Sequence, residues 1–430
     1  MASFDEILSQ KSIFRDLSVL SPHYVPKHLP FRDQQLHEIM SVLSPALRGQ
    51  KPRNLIIYGK TGTGKTCTMK HVMEDFGRAT KTGKASMHYV NCRIYNSRYR
   101  ILQKVLKSYL PELEKSGFGL TFLYEKLLEL ASANEQFVIV LDEIDMVKDL
   151  DELICTLTRS NDEVTAGGVS VVGISNKLSF KDTLESPSRS SLYETEMIFH
   201  PYKAEQLQKI LEQRVGEGFG DGVVEQSALN LAAAITSQET GDARYALKLL
   251  GKAGEIVQQE GRCKITDDDV EAARKKVELD LTMETINTLP EMHQIVLYAV
   301  AKLAVSGSRY SRLEGMDTGF LFSGEVYEEY ERTCRAVRKR ARSSRWYKEY
   351  LNDLEMLGLV VTTPSGKGIR GQTTLIRIGP NADSVMLILK MIEVILFKGG
   401  VFYFFVSSVS RNFLTEKAAT APSAHAVTIW

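Results

Sequence analysis

The chain has 430 residues, 43% of them hydrophobic and 25% charged, with a net charge of +1. That balance fits a globular protein of two or three domains, and it gives no bulk sign of a nucleic-acid binder. Five scattered cysteines without a C-x-x-C pair suggest neither a disulfide framework nor a metal site, and fit a reducing compartment. In chain order, apolar runs at 54–58, 87–91, 137–141, 169–175 and 195–199 read as strands with helices between them. This alternation predicts an α/β domain with a parallel sheet over residues 1–200. Residues 201–283 carry helical periodicity only, in runs from Ala204, Glu225, Asp242 and Thr266 to Val277, and predict a helical lid domain. Residues 284–385 read as helices Leu289–Val305, Ser323–Arg342 and Ser344–Leu357, followed by strands at 359–363 and 373–378. Three helices and a hairpin predict a winged helix-turn-helix. Residues 386–430 read as an atypical apolar extension, either a packed helix or an unusual addition, followed by a patternless tail. Lys390, Glu393 and Lys398 interrupt the apolar run, so it falls short of the ~20 apolar residues of a membrane span. The N-terminus is charged and carries no signal-peptide pattern.

The richest segment is Gly59-Lys60-Thr61-Gly62-Thr63-Gly64-Lys65-Thr66, placed between the first strand and a helix that begins at Lys65. It fits the phosphate-binding P-loop at every fixed position. Its glycines allow successive N–H groups to face a polyphosphate, and the following helix turns its N-terminus to the same anion. Lys65 reaches the β- and γ-phosphates, and the Thr66 hydroxyl ligates Mg2+. Asp142 and Glu143 end the strand at 137–141, facing the same crevice. That position suits Asp142 for holding Mg2+ through water and Glu143 for polarising an attacking water.

The window Arg332–Lys348 holds eight Lys or Arg and no acid. A recognition helix puts its first residues against bases. Arg345 suits bidentate contact with guanine, Tyr347 stands beside it, and Lys348 suits a phosphate. Lys367 and Arg370 lie at the wing tip. The competing reading is a solvated basic face, which most charge runs are.

Together these motifs resemble archaeal origin-recognition and helicase-loader replication initiators. The likeness covers about residues 12–380 and includes Asp142-Glu143-Ile144-Asp145, Gly173-Ile174-Ser175-Asn176, Gly241-Asp242-Ala243-Arg244 and Gly324-Glu325-Val326-Tyr327. The resemblance implies an AAA+ ATPase core with ATP/ADP and Mg2+ as cofactors, and weak hydrolysis used mainly as a switch. It implies that Tyr24, Val25 and Pro26 wall the adenine with Arg32 nearby, the alternative for Tyr24 being packing against the sheet. Cys67 completes the phosphate-binding stretch. Asn176 then senses the γ-phosphate, and Arg244 reaches the phosphates from the lid. A helical insertion at residues 91–120, basic through Arg93, Arg98, Arg100, Lys104 and Lys107, presses on DNA; the alternative is a solvated amphipathic helix. An arginine finger is expected where Pro187 stands, with Arg189 two residues later, so hydrolysis in trans is an open point. The implied partners are double-stranded origin DNA, the replicative helicase and other initiator paralogues, in a cytoplasmic, nucleoid-associated and not membrane-bound protein. The rivals are a DNA-binding regulatory paralogue without loading activity, and a signalling ATPase whose winged helix binds protein.

Overall fold

A computed structural model describes residues 12–80, 85–114, 117–133, 135–164, 166–307, 320–364, 374–379 and 385–397. The chain divides into two compact units, residues 1–277 and 278–430.

In the first unit five strands form one parallel sheet: β1 Asn54–Gly59, β2 Ala85–Asn91, β3 Gln136–Asp142, β4 Gly168–Ser175 and β5 Glu194–Phe199. Their order is β2-β3-β4-β1-β5, with Ile56 opposite Gly173 and Val140 opposite Val172 in register. β1, β3 and β4 are buried along their whole length, so they appear in the sequence as unbroken apolar runs. Alternate residues serve opposite faces. Ile56, Ile139 and Leu141 pack with Ile101 and Leu123, whereas Leu55, Ile57, Val138 and Val140 pack with Ile39, Leu43 and Met69. All three central strands end at one edge, delivering the P-loop, Asp142 and Asn176 to the same crevice.

The lid consists of helices Ala204–Gly218, Gln226–Glu239 and Ala243–Gln259, with the start of Asp267–Thr288. Leu207, Leu211, Ala232, Leu250 and Val257 form its core. Ile13 and Leu20 are buried in that core, and Phe14 packs on Phe219 at 5.0 Å. The first described residues therefore belong to the lid's packing, although they precede the sheet in sequence. The helix from Asp267 carries three aspartates in its first turn, where the helix dipole favours them, and it continues to Thr288, beyond the predicted Val277.

The second unit packs helices Glu291–Ser306, Ser323–Ala336 and Ser344–Met356 against a three-stranded antiparallel sheet. Its strands are β6 Leu321–Phe322, β7 Val360–Pro364 and β8 Thr374–Ile378. β6 is too short to carry a period and is absent from the sequence reading. The predicted helix to Arg342 stops at Ala336. Like charges at Arg338, Lys339, Arg340 and Arg342 repel one another on a helix, and Arg338 takes a left-handed φ of 56°. Tyrosines hold the loop instead: Arg342 N donates to Tyr330 Oη at 2.9 Å, and Tyr327 Oη donates to Arg342 O at 3.2 Å. The apolar run after 385 forms the helix Val385–Phe397, and its Ile388, Met391 and Ile392 are buried with Ile295, Val296 and Ile376. Of the two expectations for this segment the packed helix holds, and its start is part of the winged-helix core. Among the described residues no helix is long and apolar enough to cross a membrane. Lys367, Arg370 and the tail after 397 lie outside the described residues.

Candidate nucleotide cleft and basic helix

A cavity of about 390 Å3 opens over the P-loop. Tyr24, Val25, Pro26, Gly62, Gly64, Thr66, Cys67, Asp142, Glu143 and Arg244 line it, so ten of the residues singled out in the sequence meet at one place. The helix Lys65–Ala79 starts from Gly64, which has φ +91° and leaves its first N–H groups open to an anion. A Cβ at Gly64 would stand 2.7 Å from the Tyr202 hydroxyl, a second reason for glycine there.

Lys65 is 5% exposed. Its Nζ donates to Gly59 O and Lys60 O, each at 2.7 Å, and to Asn176 Oδ1 at 2.9 Å. Burial pushes its ammonium down to about 8. Asn176 and Lys65, 111 positions apart, are thereby in direct contact. Thr66 Oγ1 donates to Asp142 Oδ2 at 2.8 Å, and Tyr89 Oη donates to the same oxygen at 2.6 Å. A hydroxyl beside one carboxylate is a hard-oxygen pair that fits Mg2+, whose remaining ligands would be phosphate and water. Glu143 has φ 55° and ψ 46°, and its carboxylate accepts Arg93 Nε at 2.8 Å.

The opposite wall comes from the lid. Tyr24 donates to Glu217 Oε2 at 2.8 Å, and the Arg214 guanidinium lies 4.6 Å over its ring. Tyr24 therefore packs on the lid helix Ala204–Gly218, not on the sheet. Arg32, expected near the adenine wall, does not line the cavity. It is 4% exposed and sits behind the P-loop, between the Phe199 and Tyr202 rings at 5.0 and 4.2 Å. Its Nη2 and Nε donate to Thr63 O at 2.7 and 3.2 Å, so it shapes the loop rather than meeting a base.

In the second unit all eight cations of the window Arg332–Lys348 are exposed. The side chains of Arg338, Arg340, Arg342, Arg345 and Lys348 have no partner among the described residues, whereas Arg332 and Lys339 pair with glutamates. Trp346 is 56% exposed and stacks on Tyr350. Tyr347 corrects the expected DNA-facing set: it is 2% exposed, meets Tyr327 edge-on at 5.1 Å, and donates to Ser323 O at 3.2 Å. With Leu351 and Leu354 it forms the inward face of a helix whose Arg345 and Lys348 point outward.

Residues 28–172 match the AAA ATPase domain family, residues 208–275 the Cdc6 AAA+ ATPase-type lid domain, and residues 284–387 the CDC6 C-terminal winged helix domain. The chain is 38% identical over 384 residues to an ORC1-type DNA replication protein of Thermococcus kodakarensis, covering 87% of this chain and 90% of the relative. It is 37% identical over 396 residues to the ORC1-type DNA replication protein of Pyrococcus furiosus, covering 90% and 92%. The chain belongs to the ORC1-type DNA replication protein family. A solved structure of the Aeropyrum pernix ORC1 protein in complex with DNA matches with TM-score 0.72 and 34% identity, over 89% of this chain and 97% of that one.

Within this ORC1-type chain, residues outside the motifs also shape the cleft: Lys70, Tyr89, Asn91, Tyr202, Ile210 and Arg214 line it. Arg214 was legible in principle, as a cation on the apolar stripe Leu207, Ile210 and Leu211. The basic insertion is divided in use. Arg93 is paired with Glu143, and Lys104 lies over the Tyr95 ring at 5.6 Å. Arg98 is half-buried, with Nη1 donating to Thr156 Oγ1 at 3.2 Å, which ties it to the helix Leu150–Glu163. Arg100 stays exposed. Arg189 lies away from the chain's own cleft and donates to Lys181 O at 2.8 Å.

Proposed function

We propose that this protein is an ATP-regulated replication initiator that binds double-stranded origin DNA through its winged helix and helps recruit the replicative helicase. The carrying observation is that one chain carries both a complete P-loop cleft and a window, Arg332–Lys348, of eight exposed cations and no acid that leads into the helix Ser344–Met356. The DNA-bound Aeropyrum pernix relative supports the DNA half of this reading. In the cleft, the P-loop amides and Lys65 would hold the phosphates, Thr66 and, through water, Asp142 would hold Mg2+, and Glu143 would orient the attacking water. The magnesium, when bound, neutralises phosphate charge. Arg93 on Glu143 and proline at the expected finger position both favour slow turnover, with nucleotide acting as a switch.

The test is binding to a duplex library from the source genome, with and without ATP. Enrichment of one or a few intergenic repeats, lost on Arg345→Ala, supports the reading. Weak binding without an enriched sequence favours a protein-binding ATPase. Lys65→Ala should abolish the ATP effect; unchanged nucleotide affinity in that variant would end the switch hypothesis.

A further inference from the structure

The lid helix Ala243–Gln259 starts on the P-loop itself. Ala243 N donates to Gly62 O at 3.3 Å. Gly62 has φ +69°, and a Cβ built there would coincide with the Asp242 carboxylate. That carboxylate therefore packs flat on the bare Cα of the phosphate-binding loop. Its Oδ1 also accepts Arg244 N at 2.7 Å, capping the helix Ala243–Gln259. Asp242 N donates to Thr240 Oγ1 at 3.1 Å, and Gly241 O accepts Tyr202 N at 3.1 Å, which fixes the turn entering the helix. The guanidinium two residues on, at Arg244, lines the cavity and has no hydrogen bond or ion pair to any described residue.

We infer that Asp242 is a positioning residue for nucleotide binding: it seats the first turn of the lid helix on Gly62 and so sets the point at which Arg244 enters the cavity. This rests on the reading that Arg244 meets phosphate. A side chain that must meet a phosphate oxygen within about 0.5 Å needs its backbone held by a second set of contacts. Asp242 supplies two such contacts at once, one to the loop and one to the backbone N–H of Arg244 itself. Only a glycine at 62 admits it, so the loop and the cap are fitted to each other.

The test is calorimetric binding of a non-hydrolysable magnesium ATP analogue to the full chain. The variants are Asp242→Ala, Asp242→Asn, Arg244→Ala and the Asp242→Ala/Arg244→Ala double. Loss of one charge-assisted phosphate contact weakens affinity roughly tenfold or more, and Asp242→Ala should approach the Arg244→Ala value. The double variant should bind no more weakly than Arg244→Ala alone, because Asp242 acts through Arg244. Asp242→Asn keeps a capping oxygen and should recover most of the loss, which a merely misfolded lid would not do. Wild-type affinity in Asp242→Ala, a loss that adds fully to that of Arg244→Ala, or no recovery in Asp242→Asn would overturn the inference alone. Wild-type affinity in Arg244→Ala would instead overturn the phosphate role of Arg244, and the inference with it.

Discussion

At the scale of single residues, Glu143 and Arg93 meet across 50 positions of sequence. A carboxylate oxygen that accepts a guanidinium has one lone pair fewer to offer a water. The Arg93 side chain is 69% exposed, so the pair is worth no more than about 1 kcal/mol. Arg93→Ala should therefore raise basal ATP hydrolysis, by roughly fivefold at most. Glu143→Gln in the same background should remove the gain, and single-turnover phosphate release reads both. A rate at or below wild type in Arg93→Ala would show that the pair does not restrain Glu143. Motifs could not reveal this contact, since Arg93 carries no fixed spacing from the P-loop. Arg32 shows the opposite limit. Its presence near the cleft was legible, but its direction was not, because the aromatic cage of Phe199 and Tyr202 arrives from β5 and beyond.

At the scale of elements, the helix Ser344–Met356 is anchored by Tyr347, Leu351 and Leu354, so that its cations face outward. Tyr347, Tyr327 and Tyr330 form a ring cluster, with Tyr347 5.9 Å from Tyr330. Replacing a buried aromatic by alanine costs about 3–5 kcal/mol, whereas removing only a hydroxyl costs about 1 kcal/mol. Tyr347→Ala should lower the unfolding midpoint of the second unit, read by fluorescence of the neighbouring Trp346, and Tyr347→Phe should lower it only slightly. Nucleotide affinity should not change in either. Equal midpoints for wild type and Tyr347→Ala would remove Tyr347 from the core. The parallel strands were readable because burial on both faces leaves continuous apolar runs. The C-terminal helix was readable only as a helix. Ile388, Met391, Ile392 and Ile395 fall at helical spacing, but a stripe does not name what it packs against. The loop after Ala336 was missed because its backbone partners are tyrosine hydroxyls from earlier in the helix, a tertiary effect that local propensity does not contain.

At the scale of the molecule, a net charge of +1 conceals a local run of eight cations. Counterion release depends on local phosphate contacts and not on total charge, so binding to duplex DNA should fall steeply with salt despite the neutral average. Lys348→Ala should reduce the slope of log affinity against log salt by about one and weaken all sequences alike. An unchanged slope would take Lys348 off the phosphate backbone. Connectivity within the first unit has a different consequence. Residues 12–20 pack into the lid, residues 21–30 run along the cavity wall, and the helix Asp33–Leu47 then rests on the sheet. The chain returns to the lid a second time between Phe199 and Ala204. A body joined to its base by two separate strands of backbone behaves as a door on two hinges. Rotation about the line through both joints stays soft, while sliding and twisting are stiff. One of those hinges is itself built from the wall of the cleft, so an axis through both joints runs beside the cavity.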